Sequence, residues 1–516
     1  MHLNPMHWQY LVAVGVLVVS TLTLLKRRRQ TVHGFRLLPG PVPLPFIGNL
    51  FSIDAKKPWM TYAEWATRYG DIFMIRVLKQ DIIMINSERI AKELFERRSS
   101  IYSDRPYLAA KDPYGWSFHL TWAQYGDRWR LQRRIFHQTF RAEAALAFRP
   151  VQLEKARQLV LDILSAPHDF SKHIQKFSAA VIMSIVYDYE VAPEHDHLVE
   201  LFERGNALAM ESLTPEASSI IDAFPFVLSL PEWFPGAVLR RKAELSKHCA
   251  MQIIEEPFEY ARKREAIGSN ASAMAFGLLR ATKDVDDPSQ LQLSKDTCAT
   301  AFVGGAETIT SILKSFMLAM LQHPELQERA QAEIDAVVGT DRLPNFDDRP
   351  NLPYVEAILL ETLRMYPVVP LGVPHATTDD DNYEGFFIPK GSTLVANIWA
   401  INHNEEAYPE PDVFKPERFF VGGKLRGDKS TESLAFGFGR RVCPGRYNAD
   451  NSVWIATVLI LCSLKIAKAR GEQGEELDFE PTFSCGVTTS PDPFPCSITP
   501  RLNVDIHKLS TADSFE

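Results

Sequence analysis

A single cysteine stands inside a glycine-rich loop near the end of the chain, and no other stretch restricts the possible folds as strongly. The loop reads Phe436-Gly437-Phe438-Gly439-Arg440-Arg441-Val442-Cys443-Pro444-Gly445-Arg446. An apolar segment with a helical pattern, residues 453–464, follows it. Glycine permits unusual backbone angles and close approach of another group, and amides near the following helix would stabilise a thiolate. The pattern predicts a flat cofactor beside Cys443 rather than an ordinary buried cysteine.

The rest of the chain predicts a mainly helical protein with a small sheet region. Helical patterns separated by short Pro- and Gly-rich connections run from about residue 57 onward, without an internal repeat. Clusters of apolar and β-branched residues favour strands at residues 72–77, 82–85, 385–388 and 393–396.

The first residues of the chain predict a membrane anchor. Residues 8–25 contain no charged side chain, and four basic residues, 26–29, follow them directly. A cleaved signal peptide would carry its positive charge before the apolar stretch instead. The order predicts one span, a stop-transfer segment ending near residue 34, and a body facing the cytosol at the endoplasmic reticulum. A proline-rich linker, 35–50, and a catalytic domain, 51–516, would follow.

Composition excludes several classes of protein. With 56 Lys and Arg against 64 Asp and Glu, the net charge of −8 provides no broad basic face for nucleic acid. The six cysteines include no CxxC pair, so neither a zinc site nor a dense disulfide framework is indicated.

The cysteine loop resembles that of a known family. Five loop positions, Phe436, Gly439, Arg441, Cys443 and Gly445, match the haem-binding loop of the cytochrome P450 superfamily. The resemblance covers roughly residues 35–505 and is closest to fungal microsomal members. It implies the mainly helical fold of that family, preceded by a single N-terminal transmembrane helix. It also implies haem b (iron protoporphyrin IX) with Cys443 as axial ligand of the iron.

Further haem-binding positions follow from the loop and the resemblance. Phe436, Gly437 and Gly445 would surround the haem, and Arg441 supplies a positive charge suited to a carboxylate. Trp129 and Arg133 lie one helical turn apart, a spacing able to grip a haem carboxylate or to form an amphipathic face, and they match the family's WxxxR helix. His375 resembles a position where related enzymes place another propionate partner.

A charged network is also implied. Glu361 and Arg364 lie at i and i+3 of a helical segment, residues 354–366, so they can pair, although most such pairs are only solvated surface. The resemblance implies that Arg418, in the sequence Pro-Glu-Arg-Phe, joins them in a buried network under the haem, where it would maintain the fold and the geometry of the loop.

A long apolar helix, residues 295–322, contains the predicted oxygen-binding positions. Gly304 and Gly305 in mid-helix cost about 1 kcal/mol each relative to alanine. Either they let the helix cross the haem face with loosened backbone bonds, or they allow contact with a neighbouring helix. Glu307 and Thr308 match the family's acid–alcohol pair, which would deliver protons to bound O2, the co-substrate.

By resemblance, residues 107–118, 210–224, 368–373 and the chain near residue 487 contribute to a substrate pocket for an apolar or aromatic small molecule, in secondary metabolism or xenobiotic oxidation. Residues 230–236 are expected to dip into the bilayer.

NADPH-cytochrome P450 reductase would supply electrons, with cytochrome b5 as a second candidate donor. The function implied is monooxygenation; a haem-thiolate isomerase or dehydratase, and a non-enzymatic haem sensor or carrier, are the alternatives.

Overall fold

The computed structural model describes residues 31–32, 35–269, 272–283, 287–339, 341–426 and 434–501. These residues are mainly helical, as predicted. The α-helices are α1 Pro58–Tyr69, α2 Glu88–Lys92, α3 Asp127–Phe140, α4 Ala142–Ala145, α5 Arg149–Ser165, α6 Phe170–Tyr187, α7 His197–Ser212, α8 Pro215–Ala223, α9 Val238–Ala266, α10 Met274–Thr282, α11 Pro288–Gln322, α12 Pro324–Val338, α13 Pro353–Met365, α14 Ile398–Asn402 and α15 Arg446–Ser463.

Small sheets lie beside the helices. The strands are β1 Thr31–Val32, β2 Phe35–Arg36, β3 Ile72–Val77, β4 Gln80–Ile85, β5 His375–Ala376, β6 Asp381–Tyr383, β7 Phe386–Ile388, β8 Thr393–Ala396, β9 Phe420–Val421, β10 Lys424–Leu425, β11 Leu464–Lys468 and β12 Cys496–Pro500. Two four-stranded sheets have the orders β1-β2-β7-β6 and β3-β4-β8-β5. β9 with β10, and β11 with β12, form separate antiparallel pairs. In the second sheet β4 pairs antiparallel with β3 and parallel with β8.

The predicted strands occur with small shifts at their ends. Residues 72–77 and 393–396 form β3 and β8 as expected, whereas β4 begins at Gln80. β7 begins one residue later than predicted, because Gly385 adopts a φ of +81° in the preceding turn.

The helix that carries the predicted oxygen-binding residues is longer than expected. α11 begins at Pro288 rather than at Lys295. The side chain of Asp287 caps it by accepting a hydrogen bond from the Ser289 amide at 2.9 Å, and proline suits the first helical position. α11 continues without interruption to Gln322.

α11 and α15 form the centre of the core. α11 packs against α6, and α15 packs against α5 and α11. α15 is buried along most of its length, from Ser452 to Ser463, and it begins directly after the cysteine loop. The loop is therefore held at the N-terminus of the most buried helix of the described chain.

The predicted membrane span, residues 8–25, lies outside the described residues. Within the described ranges, no helix combines the length and the hydropathy needed to cross a bilayer. The proline-rich segment lies against β3, since Met74 N donates to Pro39 O at 2.8 Å and Asn49 N to Arg76 O at 2.6 Å.

Candidate active site

The predicted cofactor residues meet at one internal cavity of about 290 Å³. The cysteine loop, α3, α11 and the segment before β5 form its walls. All the residues predicted to bind the cofactor line it, and so does Thr308 of the predicted acid–alcohol pair. The cofactor residues are Trp129, Arg133, Gly304, Gly305, His375, Phe436, Gly437, Arg441, Cys443 and Gly445.

Cys443 lies at the end of the loop, just before α15. Its amide donates to Phe436 O at 2.8 Å, which closes the loop. Burial raises the pKa of the Cys443 thiol, while hydrogen bonds from the Gly445 and Arg446 amides and the nearby positive charge of Arg133 lower it. The amides expected near the helix N-terminus are therefore in place. Burial disfavours the thiolate, and a cation bound to the sulfur would stabilise it.

Arg441 has unused hydrogen-bonding capacity inside the protein. Its Nε donates to Ser103 O at 2.7 Å, whereas Nη1 and Nη2 are buried without a partner among the described residues. The guanidinium lies over the Trp129 ring at 4.4 Å. Burial lowers the pKa of Arg441 to about 10, so the group remains charged at neutral pH. Two buried donors on one guanidinium match a carboxylate of a bound molecule.

α3 contributes a second basic group to the same cavity. Trp129 is 5% exposed, and Arg133 follows it by one turn. Burial lowers the pKa of Arg133, and the cysteine is the first charge partner near it. The spacing thus places both side chains on the cavity, as predicted, rather than on a solvated helix face.

His375 occupies the first position of β5. Its Nδ1 lies 2.7 Å from Tyr102 O, and its ring stacks on Phe95 with centroids 4.1 Å apart. Burial and the neighbouring positive charge of Arg105 lower the pKa of His375, which keeps the isolated ring neutral. A carboxylate beside Nε2 would favour the protonated ring instead.

The loop glycines leave room for a flat group. Gly437 has a φ of +79°, and a Cβ added at Gly437 or Gly445 would meet no atom within 4 Å. Gly439 is required for another reason, because its Cβ would lie 2.1 Å from Phe95 O. Phe436, which precedes these glycines, lines the cavity.

The two glycines of α11 have different neighbours. A Cβ at Gly304 would enter open space in the cavity. A Cβ at Gly305 would lie 2.7 Å from Cγ1 of Ile182 on α6. Gly304 therefore fits the interpretation of an open face towards a cofactor, and Gly305 fits the interpretation of close contact between helices.

The structure separates the acid from the alcohol of the predicted pair. Thr308 lines the cavity, and its hydroxyl donates to Gly304 O at 2.8 Å. Glu307 is not among the cavity residues of the described chain; its carboxylate accepts from Asn206 Nδ2 at 3.0 Å and from Thr488 Oγ1 at 3.4 Å. Burial raises the pKa of Glu307, so it holds its proton to higher pH than a surface glutamate does.

The structure brings the three residues of the predicted charged network together. Arg364 donates from Nε and Nη2 to Glu361 at 2.7 and 2.8 Å, and Arg418 Nε donates to Glu361 Oε1 at 3.0 Å. The side chains of Glu361 and Arg364 are 0% exposed and that of Arg418 is 7% exposed. This is a buried network rather than a surface pair. The Asn402 carbonyl receives a further Arg364 hydrogen bond at 2.9 Å, so the network connects α13 with α14.

The substrate-pocket prediction holds for one segment of four. Residues of the segment 368–373 line the cavity, but among the described residues none from 107–118 or 210–224 does, and Val487 does not either. Three aromatic side chains of the first segment, those of Tyr114, Trp116 and Phe118, are buried in the core instead, whereas Tyr107 is 60% exposed. Trp116 Nε1 donates to Ser246 at 3.0 Å. Val487 N donates to Met210 O at 3.3 Å, outside the cavity.

Sequence reasoning missed three polar residues of this region. Arg105 donates to three backbone carbonyls and lines the cavity with His119, and Asn206 holds Glu307. Arg105 and His119 stand in irregular loops without a spacing pattern, and Asn206 lies on a helix that only the tertiary fold brings to α11.

Comparison with known proteins agrees with this arrangement. The sequence model of the family described as cytochrome P450 matches residues 38–495. The cytochrome P450 monooxygenase COX1 of Coprinopsis cinerea is 34% identical over 511 residues, which cover 96% of this chain and 97% of the relative. The cytochrome P450 monooxygenase claR of Ampulloclitocybe clavipes is 35% identical, with 95% and 90% covered, and ple1 of Rhodocybe pseudopiperita is 35% identical, with 90% of each covered. The chain therefore belongs to the cytochrome P450 family and is an enzyme of its monooxygenase class.

Proposed function

We propose that this enzyme inserts one atom of O2 into an apolar or aromatic small molecule, with electrons from a separate NADPH-dependent reductase. The observation that carries the proposal is the shared cavity, which Cys443, Arg441 and Thr308 line together. Nη1 and Nη2 of Arg441 have no partner among the described residues. Family membership implies haem and O2.

The residues of the cavity fit a haem. Arg441 offers two unpaired donors for a propionate, while Arg133, Trp129 and His375 line the same space. The open Cβ directions at Gly437 and Gly445 leave space for a flat ring beside Cys443. When bound through a cysteine thiolate, the haem iron supplies the activation of O2. The protein's part is to hold the ring, stabilise the thiolate and exclude water.

Thr308 and Glu307 are the proposed proton-handling residues. The Thr308 hydroxyl faces the cavity, where it can rotate from Gly304 O to a bound molecule. The neighbouring Glu307 is buried, and burial raises its pKa. A raised pKa suits a carboxyl group that gives up a proton and is then reprotonated. We propose that Glu307 reaches Thr308 through a water or a side-chain rotation.

Electron supply and location are further parts of the proposal. The sequence contains no recognisable flavin- or dinucleotide-binding segment, which supports a separate reductase, with cytochrome b5 as a second donor. Residues 8–25 would anchor the enzyme in the endoplasmic reticulum membrane, with residues 51–516 on the cytosolic side.

Product profiling tests the proposed function. Microsomes that contain this chain and a reductase are supplied with NADPH and a panel of terpenoids, steroids, indoles and polycyclic aromatics. We expect a product that gains one oxygen atom, formed at least about 100-fold more slowly by Thr308→Ala. Turnover without NADPH would indicate an isomerase or dehydratase instead. A thiolate-type carbon monoxide spectrum without any product across the panel would contradict monooxygenation of these classes.

A further inference from the structure

The proposed reaction does not use every polar side chain of the cavity, and His119 is one that it leaves unused. His119 lies in the loop before α3, is 8% exposed and lines the cavity. Its ring packs against Trp116 and Phe118, with centroids 6.3 and 5.8 Å away. An apolar ring could make these packing contacts but no hydrogen bond, so the two ring nitrogens call for a separate explanation.

The hydrogen bonds of His119 define which nitrogen carries the proton. The Thr121 amide donates to Nδ1 at 3.2 Å, so Nδ1 acts as the acceptor. Burial lowers the pKa of His119 to about 4, and the ring is therefore neutral at pH 7. A neutral imidazole that accepts at Nδ1 carries its proton on Nε2.

Nε2 of His119 has no hydrogen-bond partner among the described residues. This nitrogen is also not among the polar core atoms that lack both a partner and any exposed surface. A donor at the edge of an apolar cavity gains most from an acceptor that the protein does not supply.

The loop that carries His119 is attached to α11 at a known position. Leu120 N donates to Thr300 Oγ1 at 3.3 Å. The Thr300 hydroxyl donates to Asp296 O at 2.8 Å and accepts from Leu120 N, so it has little hydrogen-bonding capacity left for a ligand. Thr300 precedes Thr308 by two helical turns, or about 12 Å along the helix axis. The loop of His119 is therefore fixed to α11 two turns before Thr308.

We propose that His119 selects substrates that already carry an acceptor oxygen, such as a ketone, ether or hydroxyl group on an otherwise apolar skeleton. The oxygen accepts from Nε2 at one end of the cavity, and the skeleton extends along α11 so that a distant carbon lies near Thr308. This inference rests on the proposed function and gives its substrate class. The reaction that supplies the substrate must accordingly be an earlier oxygenation or a cyclisation that retains an oxygen.

Binding of matched ligand pairs to the haem-containing enzyme tests the inference. The probes are fluorene with fluorenone, androstane with androstanone, adamantane with adamantanone, and cyclododecane with cyclododecanone, measured by spectral titration and equilibrium dialysis. In the wild type, at least one ketone should bind about five- to tenfold more tightly than its hydrocarbon. His119→Phe keeps the aromatic packing and should remove that preference.

Two further variants separate recognition from structure. His119→Asn can accept from the Thr121 amide and still donate, so part of the ketone preference should remain. Thr121→Val keeps the backbone amide that fixes the ring and should keep the whole preference. If His119→Phe loses haem, His119→Leu serves in the same comparison.

The outcomes are distinct from those of the proposed function. Equal binding of every ketone and its hydrocarbon by the wild type, or a preference that persists in His119→Phe, would overturn the inference. Wild-type NADPH-dependent oxygenation in the same preparation reports on the proposed function independently. Oxygenation without a ketone preference would contradict only the role of His119. A ketone preference without oxygenation would contradict only the proposed reaction.

Discussion

At the scale of single residues, Arg441 gives the most direct prediction, because its Nη1 and Nη2 have no partner among the described residues. Replacing Arg441 with Met removes two buried donors and a charge from the cavity, so we expect haem affinity to fall by about 10- to 100-fold, because hydrogen bonds to charged groups contribute roughly 1.5–3 kcal/mol. The ratio of haem to protein after gel filtration measures it. The neighbouring Arg440, which bonds the Tyr125 hydroxyl at 2.8 Å, supplies the control Arg440→Gln. Equal haem content in both variants would contradict the assignment.

The buried carboxyl group of Glu307 makes a prediction about pH. Burial raises its pKa, so it is protonated below that pKa and loses its proton as the pH rises through it. If Glu307 delivers protons, the turnover rate should decline on the basic side, at a pH above the ordinary glutamate pKa of about 4.3. The Asn206 amide stabilises the charged form and lowers the pKa, so Asn206→Leu should move this decline to higher pH.

Glu307→Gln is the matched control for the pH experiment. It has nearly the same shape but does not titrate, so its slower turnover should lack the basic decline. The pH profile of kcat at saturating reductase measures all three proteins. Superimposable profiles for wild type and Asn206→Leu would argue against Glu307 as the titrating group.

At this scale the sequence predicts residues that stand in spaced patterns. Cys443, Arg441, Trp129 and Arg133 were found because their spacing has chemical meaning, and all four line the cavity. Arg105 and His119 could not be found in that way, because their positions depend on contacts with Val373 and Thr300 that are distant in sequence.

At the scale of elements, the paired glycines of α11 offer a matched experiment. Gly305→Ala places a Cβ 2.7 Å from Cγ1 of Ile182, so we expect a loss of about 1–3 kcal/mol in unfolding free energy. Gly304→Ala meets no atom within 4 Å and gains about 1 kcal/mol of helix propensity, but it should weaken ligand binding in the cavity. Chemical denaturation measures the first effect and spectral titration the second.

A double substitution tests the cause. Ile182→Ala removes the atoms that Gly305→Ala would meet, so the two changes together should cost less than the sum of their separate effects. Strict additivity would show that the clash is not the reason for the glycine.

The network between α13 and the segment containing Arg418 predicts a large effect on stability. Glu361→Gln leaves two buried guanidinium groups without their carboxylate, and we expect a loss of about 3–5 kcal/mol in unfolding free energy. Arg329→Gln breaks the pair with Glu417 next to Arg418, where the side chains are 57% and 37% exposed. That control should cost about 1 kcal/mol or less. Denaturation of both variants compares them, and equal losses would refute a special role for burial.

Element boundaries show what periodicity can and cannot specify. The hydrophobic pattern located α11, α13, β3 and β8, because each buries a regular face or a short apolar run. The first turn of α11, which begins at Pro288, is set by the Asp287 cap and carries little of the apolar pattern. The start of α11 was therefore placed too late in the sequence.

At the scale of the whole molecule, mainly helical architecture was predictable because many long amphipathic segments require one another for burial. The location of the substrate cavity was less predictable. The aromatic residues of 107–118 resemble a ligand pocket in composition, yet three of the four are buried in the core and Tyr107 is exposed. Only packing distinguishes the two outcomes.

Exposed aromatic residues occur in two segments that hydrogen bonds connect to the turn between β3 and β4. Phe46 is 94% exposed and Trp233 is 81% exposed. Leu78 N donates to the carbonyl next to Phe46, that of Ile47, at 3.0 Å, and Ser219 Oγ donates to Gln80 at 2.8 Å. The proline-rich segment, the turn between β3 and β4, and the chain that leads from α8 to Trp233 are thus joined. We propose that these exposed side chains contact a membrane in addition to the proposed anchor.

A truncation series tests this membrane contact. Without residues 1–34, the protein should still float with neutral phospholipid vesicles. Adding Trp233→Ser, Phe234→Ser and Phe46→Ser should release most of it, since each exposed aromatic side chain contributes roughly 1.5–3 kcal/mol when buried. Ile267→Ser removes a side chain that is 78% exposed just past the far end of α9, about 43 Å from the first residue of that helix, and should leave flotation unchanged. Release by truncation alone would place all membrane affinity in the anchor, and equal release by Ile267→Ser would show that the contact is not confined to this surface.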